Sequence, residues 1–252
     1  GVIGDQQSAL VGQRCFKSGQ MKSTFGTGCF LMVNTAEEVL KVKEGLLTTV
    51  GYKIDGQISY AVEGSIYSCG NIVKWLRDRM KFFDKASESE KMILSSDDND
   101  GDILFLPAFN GLGAPYWNSS VRGGFYGITQ DTRREEMVTA AFESICFQVL
   151  DIIKILEDYK ISSEELRVDG GMIANNVFCQ LLSDTLNKEI ISPKNIESTA
   201  LGACIVAMIG SGTIKDFNDV NIEKSFQSSI ATNTKLLKKY DNWKRYINNS
   251  LS

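Results

Sequence analysis

The stretch MKSTFGTGCFLMVNT, residues 21–35, contains two apolar-rich runs that meet at Gly26 and Gly28. Glycines at these positions allow the tight turn that joins antiparallel strands, so the stretch predicts a β-hairpin. A second hairpin is predicted within residues 45–64, where Asp55 and Gly56 suit a turn with positive φ. The first part of the chain is therefore expected to be rich in strands.

Helical patterns follow the hairpins. Residues 66–80 predict a helix with Ile66 and Met80 among its inward-facing side chains, and the polar residues 85–102 predict a loop insertion. From residue 134 to 159, apolar side chains recur every three or four residues, which is typical of a long helix packed on a core.

The remainder alternates strand, helix, strand and helix between residues 165 and 212. This alternation predicts an α/β layer. A terminal helix over residues 235–248 is expected to dock through one apolar face and to leave its lysines in solvent. The residues of that face are Leu236, Tyr240, Trp243 and Ile247.

The chain has no histidine, a formal net charge of −4 and a pI near 5.1. The missing imidazole excludes Ser-His-Asp and Cys-His chemistry, and the acidic balance argues against nucleic-acid binding.

Six cysteines lie apart within apolar runs, which predicts buried thiols in a reducing cytoplasm. No run approaches the length of a membrane span. Residues 1–4, GVIG, are expected to end a strand that begins in a domain further upstream.

Three stretches place glycines and small polar residues after an apolar run: VIGDQQSAL (2–10), FGTGCF (25–30) and VDGGMIANN (168–176). Such loops expose backbone N–H groups that hold phosphates, especially where a helix follows. Asp5, at the expected mouth of a strand, is a candidate acceptor for a hydroxyl proton in phosphoryl transfer. The alternative is that Asp5 only caps the helix after it.

Two further polar residues have open roles. Asp169 is expected to be structural, because the glycines and the two asparagines after it suit a nucleobase or ribose surface better. Lys74, one helical turn after Gly70, is either a phosphate contact or a solvated lysine.

Several blocks, read in order, resemble the glycerol kinases of the FGGY family of carbohydrate kinases. The blocks are GDQQSALVGQ, FGTGCFLMVNT, GLLTT, YAVEGSI, WLRD, PAFNGLGAPYW, RGGFYGIT, RVDGGMIANN and TALGACIVA, and they run from Gly1 to about Gly212. The resemblance implies an actin-like, ribonuclease-H-like ATPase fold of class α/β, with a mixed sheet and flanking helices. Residues 1–252 would be the C-terminal lobe of a two-lobed kinase whose N-terminal lobe is absent from this chain.

The resemblance also implies roles for single residues. Asp5 would be the catalytic base, a glycerol ligand and a Mg²⁺ ligand. Gln6 would contact glycerol, and Phe30 would pack on its carbon atoms. Thr27 would hold an ATP phosphate. The adenosine side would be lined by Gly70, Gly171 and Asn175.

The resemblance further implies a cytoplasmic enzyme that forms a homo-oligomer at full length and uses ATP, Mg²⁺ and glycerol. Lys74 stands where the family usually has glutamine, which leaves that nucleotide contact open. Without the N-terminal lobe, the chain alone is expected to have little or no kinase activity. A non-catalytic, actin- or chaperone-like nucleotide-binding module is the alternative. A dinucleotide oxidoreductase is disfavoured, since no G-x-G-x-x-G joins a strand to a helix.

Overall fold

The computed structural model describes residues 1–43, 45–54, 56–96, 103–193, 197–214, 224–226 and 234–251. Nine strands are described: β1 (Met21–Phe25), β2 (Cys29–Ala36), β3 (Leu47–Ile54), β4 (Gln57–Ile66), β5 (Leu104–Leu106), β6 (Gly124–Tyr126), β7 (Glu165–Asp169), β8 (Glu189–Ser192) and β9 (Lys224–Phe226). The described helices are α1 (Asp5–Gly12), α2 (Gly70–Asp78), α3 (Glu88–Leu94), α4 (Arg134–Asp158), α5 (Asn176–Leu186), α6 (Ser198–Gly210) and α7 (Thr234–Leu251), with a 3-10 turn at Gly171–Ala174.

Seven strands form one mixed sheet in the order β3-β4-β2-β1-β7-β8-β9, while β5 and β6 pair separately. The strands β3, β4, β2 and β1 are antiparallel, and β1, β7 and β8 are parallel. Both predicted hairpins are present. Asp55 lies outside the described residues, and Gly56 has the positive φ of 83° that the second turn was expected to need. The central strand β1 thus joins the hairpin half to the α/β half.

Helix α1 packs on one face of this sheet, and α6 packs on α1 at two glycines. A Cβ on Gly12 would lie 2.0 Å from the Ser198 carbonyl oxygen, and one on Gly202 would lie 1.8 Å from that of Ser8. No side chain fits at either position, so the two helix backbones can touch only because both residues are glycine. This contact holds α1, with Asp5 at its start, against the sheet.

The other face carries the main core, built around α4. The residues predicted to form its apolar stripe are all buried: Val138, Phe142, Ile145, Val149, Ile152 and Leu156. The predicted apolar face of α7 is buried as well, and the Trp243 indole N–H donates to the Phe105 carbonyl at 2.8 Å. Among the described helices, none is long and apolar enough to cross a membrane.

Polar groups also attach α7 to α4. Lys239 was expected in solvent, yet its ammonium is buried and donates to both carboxylate oxygens of Glu143, at 2.8 and 3.0 Å. Burial raises the pKa of the Glu143 carboxyl, and the Lys239 charge opposes that rise. At the next residue of α7, the Tyr240 hydroxyl donates to buried Asp151 at 2.6 Å.

Three expectations about local structure are wrong. The helix predicted from residue 66 begins at Gly70, because Ile66 still belongs to β4, and Met80 is exposed. The polar stretch 85–102 contains α3, whose Ser89 and Met92 are buried, while residues 97–102 lie outside the described parts. Residues 1–4 form no strand and lead directly into α1.

Candidate active site

A cleft with a volume of about 630 Å³ opens where the β1–β2 turn, α2, α3 and the segment after β7 meet. Thr27, Gly70, Gly171 and Asn175, the four residues expected on the nucleotide side, all line it. Lys74 lines it too. The structure therefore brings together residues that lie far apart in the sequence, as expected of a single ligand site.

Close backbone contacts build the floor of this cleft. The Gly70 N–H donates to the Gly26 carbonyl at 2.9 Å, and a Cβ on Gly70 would lie 2.5 Å from that oxygen. Gly170 has a φ of 95°, and a Cβ there would lie 2.5 Å from the Phe25 carbonyl oxygen. Both glycines therefore serve packing, whereas a Cβ on Gly171 would meet nothing within 4 Å. Gly171 is the glycine that leaves room for a ligand.

The start of α2 is bound to the turn. Besides the Gly70 contact, the Asn71 N–H donates to the Thr27 carbonyl at 3.2 Å. The first N–H groups of α2 are thus used to hold the Gly26–Thr27 turn in place. The start of a helix often attracts a phosphate through free N–H groups. In this site those N–H groups hold the turn, and the exposed Thr27 itself faces the cleft.

Asn175 both caps a helix and lines the cleft. Its Oδ1 accepts from the Phe178 N–H at 2.7 Å, which caps α5, and its Nδ2 donates to the Ser89 hydroxyl at 3.2 Å. The Glu90 carboxylate accepts from the Asn176 N–H at 2.8 Å, so α3 is clamped to the start of α5. Sequence reasoning missed Ser89 and Glu90 because it assigned their segment to a loop.

The residues expected on the substrate side lie next to the same hairpin, on the face covered by α1. Asp5 is the exposed first residue of α1, where its Oδ1 accepts from the Gln6 N–H at 2.8 Å. The helix-cap position is Gly4, so Asp5 does not take the capping role that was its alternative. Phe30 is 38% exposed although it belongs to β2. Within the described chain, Asp5, Gln6 and Phe30 are not part of the cleft lining.

A buried lysine that sequence reasoning missed joins these residues. Lys22 is 0% exposed, and its ammonium donates to Gln6 Oε1 at 2.5 Å, Thr24 Oγ1 at 3.0 Å and the Phe30 carbonyl at 3.4 Å. Burial lowers the pKa of Lys22, while the charges of Asp169 and, more weakly, Asp5 oppose that change. The strand alternation that puts Lys22 and Thr24 on one face of MKSTF was the available signal.

Asp169 ends β7 and pairs with Thr24 across the sheet. It is buried, and its Oδ2 accepts from the Gln13 side-chain amide at 3.3 Å. Asp169 therefore faces the interior under α1 and does not line the cleft, as its expected structural role requires.

Metal binding by this chain has to rest on few ligands. Within the described ranges, no group of three or more His, Cys, Asp or Glu residues is placed to hold a metal ion. Magnesium is commonly held through one or two carboxylates together with phosphates and waters. The exposed Asp5 carboxylate fits that mode of binding.

Comparison with known proteins identifies the family of this chain. Residues 21–211 match the C-terminal domain of the FGGY family of carbohydrate kinases. Glycerol kinase 1 of Pseudomonas aeruginosa is 44% identical over 92% of this chain and 47% of its own length. Glycerol kinase of Bacillus subtilis is 42% identical over 98% of this chain and 50% of its own. The chain spans about half the length of these curated relatives.

Solved structures extend the comparison. Plasmodium falciparum glycerol kinase with ADP superposes with a TM-score of 0.90 at 37% identity, covering 100% of this chain and 51% of that one. Rhodospirillum rubrum xylulose kinase superposes at 0.85 with 18% identity over 98% of this chain and 50% of that one, a likeness of fold alone. The expected fold class is confirmed: an α/β, actin-like ATPase domain with a mixed sheet and flanking helices. The chain belongs to the FGGY family of carbohydrate kinases, and its residues 21–211 are that family's C-terminal domain.

Proposed function

We propose that residues 1–252 form the C-terminal, nucleotide-binding lobe of a kinase that transfers phosphate from ATP to glycerol. The observation that carries the proposal is the layout of the β1–β2 hairpin. Its turn places Thr27 in the cleft, and the backbone of Phe30, three residues later, shares the Lys22 ammonium with the side chain of Gln6, the residue after Asp5. Three extended residues span at most about 10 Å. A phosphate chain anchored at Thr27 would therefore have only a short distance to extend to reach an alcohol held at Phe30.

The cleft is suited to a nucleotide. Gly171 leaves space for a base or ribose, Asn175 offers a fixed amide, and Thr27 offers a hydroxyl to a phosphate. Lys74 and Arg77 add positive charge to the lining. We expect Lys74 to contact the nucleotide. Because the family usually has glutamine at this position, the lysine would replace a neutral amide contact by an ionic one.

The reaction requires little covalent work from the protein. A terminal hydroxyl oxygen of glycerol bonds to the γ-phosphorus of ATP while the bond from that phosphorus to the bridging oxygen of ADP breaks. In a chain without histidine, the Asp5 carboxylate would accept the hydroxyl proton. Gln6 and Phe30 hold the alcohol. Asp5 would also hold Mg²⁺, which neutralises phosphate charge when bound.

The isolated chain supplies one side of the site only. We expect it to bind ATP but to have little or no kinase activity, because orienting both reactants accounts for about 7–11 kcal/mol of barrier reduction in favourable cases. The N-terminal lobe, a homo-oligomer and a cytoplasmic location are part of the proposal for the full-length protein.

Replacing the proton acceptor tests the proposal. In the full-length protein, Asp5→Asn is expected to abolish glycerol phosphorylation while ATP affinity, measured by calorimetry, changes less than about threefold. The matched control is Asp158→Asn, at the exposed end of α4. Full turnover in Asp5→Asn would contradict the assignment. A wild-type protein that binds ATP but phosphorylates no alcohol would favour a non-catalytic nucleotide-binding module.

A further inference from the structure

A single buried ammonium contacts two of the residues that are proposed to hold the alcohol. Lys22 donates to the side-chain oxygen of Gln6 and to the backbone oxygen of Phe30. Its remaining contact is the Thr24 hydroxyl. Lys22 reaches these groups from the central strand β1, between β2 and β7, which is one of the most constrained positions in the sheet.

Burial of this charge is costly. In the described structure, no carboxylate lies within ion-pair distance of the Lys22 ammonium. At longer range, the negative charges of Asp169 and Asp5 favour the charged form of Lys22, and the Lys22 charge favours the ionised form of Glu63. Desolvating an ammonium costs several kcal/mol unless other groups compensate. A methionine would fill the same volume without that cost. A lysine at this position therefore requires a function that an apolar side chain does not supply.

The contact with Gln6 suggests what that function is. An ammonium has donors only, so the amide of Gln6 must turn its oxygen toward Lys22. The Gln6 amide nitrogen, with its two N–H donors, then does not contact Lys22. Gln6 can consequently offer both of its N–H donors to a ligand, while its oxygen is engaged by Lys22. A hydroxyl oxygen of the substrate would accept from it, which leaves that hydroxyl's own proton for another acceptor.

We infer that Lys22 is a positioning residue of the kinase site: its buried ammonium orients the Gln6 amide as a hydrogen-bond donor toward a substrate hydroxyl and ties that amide to the backbone at Phe30. The inference rests on the proposed function. It gives the site a preference for ligands that present a hydroxyl oxygen at this position. The site would discriminate between ligands because one without that oxygen would leave the side-chain N–H of Gln6 without an acceptor.

Glu63 limits how this charge can be changed. It lies on β4, on the same face as Lys22 across β2, and burial raises the pKa of its carboxyl, with Asp5 adding to the rise and Lys22 opposing it. Removal of the Lys22 charge would thus remove a cation that favours the ionised form of Glu63. For this reason the test includes a variant that keeps Lys22.

The first test removes the ammonium in the full-length protein. Lys22→Met is expected to raise the KM for glycerol about tenfold, the effect of one lost hydrogen bond, and to leave the KM for ATP within about twofold. Lys22→Met is also expected to have little further effect in a Gln6→Ala background, since Lys22 acts through Gln6. The control is Lys17→Met, an exposed lysine in the loop before β1. A purely structural role would reduce the amount of active enzyme without changing the KM for glycerol.

The second test holds even if Lys22→Met does not fold. Gln6→Glu keeps an oxygen facing Lys22 and replaces the donor by a second oxygen, so the KM for glycerol is expected to rise about tenfold with no loss of thermal stability. Gln7→Glu, which adds the same charge one residue later, is the matched control. An unchanged KM for glycerol in Gln6→Glu, with wild-type enzyme active, would overturn the inference alone. A wild-type enzyme inactive on glycerol would overturn the proposed function and the inference together.

Discussion

The buried pair of Lys239 and Glu143 yields a stability prediction that can be worked from the structure. The side chains are 10% and 7% exposed, and the ammonium contacts both carboxylate oxygens. Removing one partner of a buried pair leaves an uncompensated charge, which typically costs about 3–5 kcal/mol. We expect Lys239→Met to lower the free energy of unfolding by about 3 kcal/mol at pH 8, toward the lower end of that range because methionine preserves the packing. Lys238→Met, at the exposed neighbouring position, should change it by less than about 0.5 kcal/mol.

The pH dependence of that loss gives a second check. Burial already holds the pKa of Glu143 above its ordinary value of 4.5, and Lys239 opposes the rise. Without Lys239 the pKa rises further. A group whose pKa is higher in the folded state contributes stability below its unfolded pKa and loses it as pH rises through the folded pKa. The cost of Lys239→Met should therefore be smaller at pH 5 than at pH 8.

Urea unfolding of the 252-residue chain at both pH values, followed by tryptophan fluorescence and circular dichroism, measures these differences. A double variant, Glu143→Leu with Lys239→Met, removes both charges and should recover most of the loss, because well-packed apolar residues replace buried ion pairs with little cost. The reasoning fails if Lys239→Met costs no more than Lys238→Met at pH 8, or if its cost grows as the pH falls.

Three further predictions concern packing, the nucleotide and the thiols. Gly202→Ala places a methyl group against the α1 backbone and should destabilise the chain by about 2–4 kcal/mol in urea unfolding, whereas Gly210→Ala, in the same helix with its nearest neighbour at 3.6 Å, should be close to neutral. Lys74→Gln should weaken ATP binding severalfold and flatten its salt dependence in calorimetric titrations, and Lys81→Gln, an exposed lysine, should do neither. In the native chain, a thiol reagent should modify exposed Cys204 within minutes and react with the buried cysteines only on unfolding, because burial raises the pKa of thiols such as Cys15 and Cys29 to about 12. The protected residues are Cys15, Cys29, Cys69, Cys146 and Cys179.

Local patterns were sufficient to predict most of the fold. The hairpin at Gly26 and Gly28, the long helix α4 and the apolar face of α7 each follow from periodicity and turn chemistry within a few residues. Residues 85–102 show where this fails. Their polar composition masks α3, which is stable because Ser89 and Met92 pack inward and Asn175 and Asn176 bind its side chains from another part of the chain.

The candidate site could be predicted in part for a similar reason. Glycine-rich turns mark where backbone must approach closely, so Gly171 could be singled out from its own turn, whereas Gly70 is indicated only by the family resemblance. Their convergence on one cleft with Thr27 depends on the pairing of β1 with β7, a long-range contact that no local pattern reveals. Which glycine packs and which one faces the ligand is equally a tertiary property. Gly70 is closed off by the Gly26 carbonyl, and Gly171 is open.

Lys22 shows why a charged residue can be assigned to the wrong environment. A lysine in a strand is ordinarily assumed to face solvent, and alternation in MKSTF permits that assumption. Strand β1, however, has neighbours on both sides and helices on both faces, so neither of its faces is open to solvent at Lys22. Once the strand is central, the lysine must be buried, and its charge must be balanced by polar groups that converge from α1 and β2. The need to satisfy one buried ammonium thus brings Gln6 and the Phe30 backbone to the same point. Under the proposed function, this is how residues on separate elements would act on one substrate.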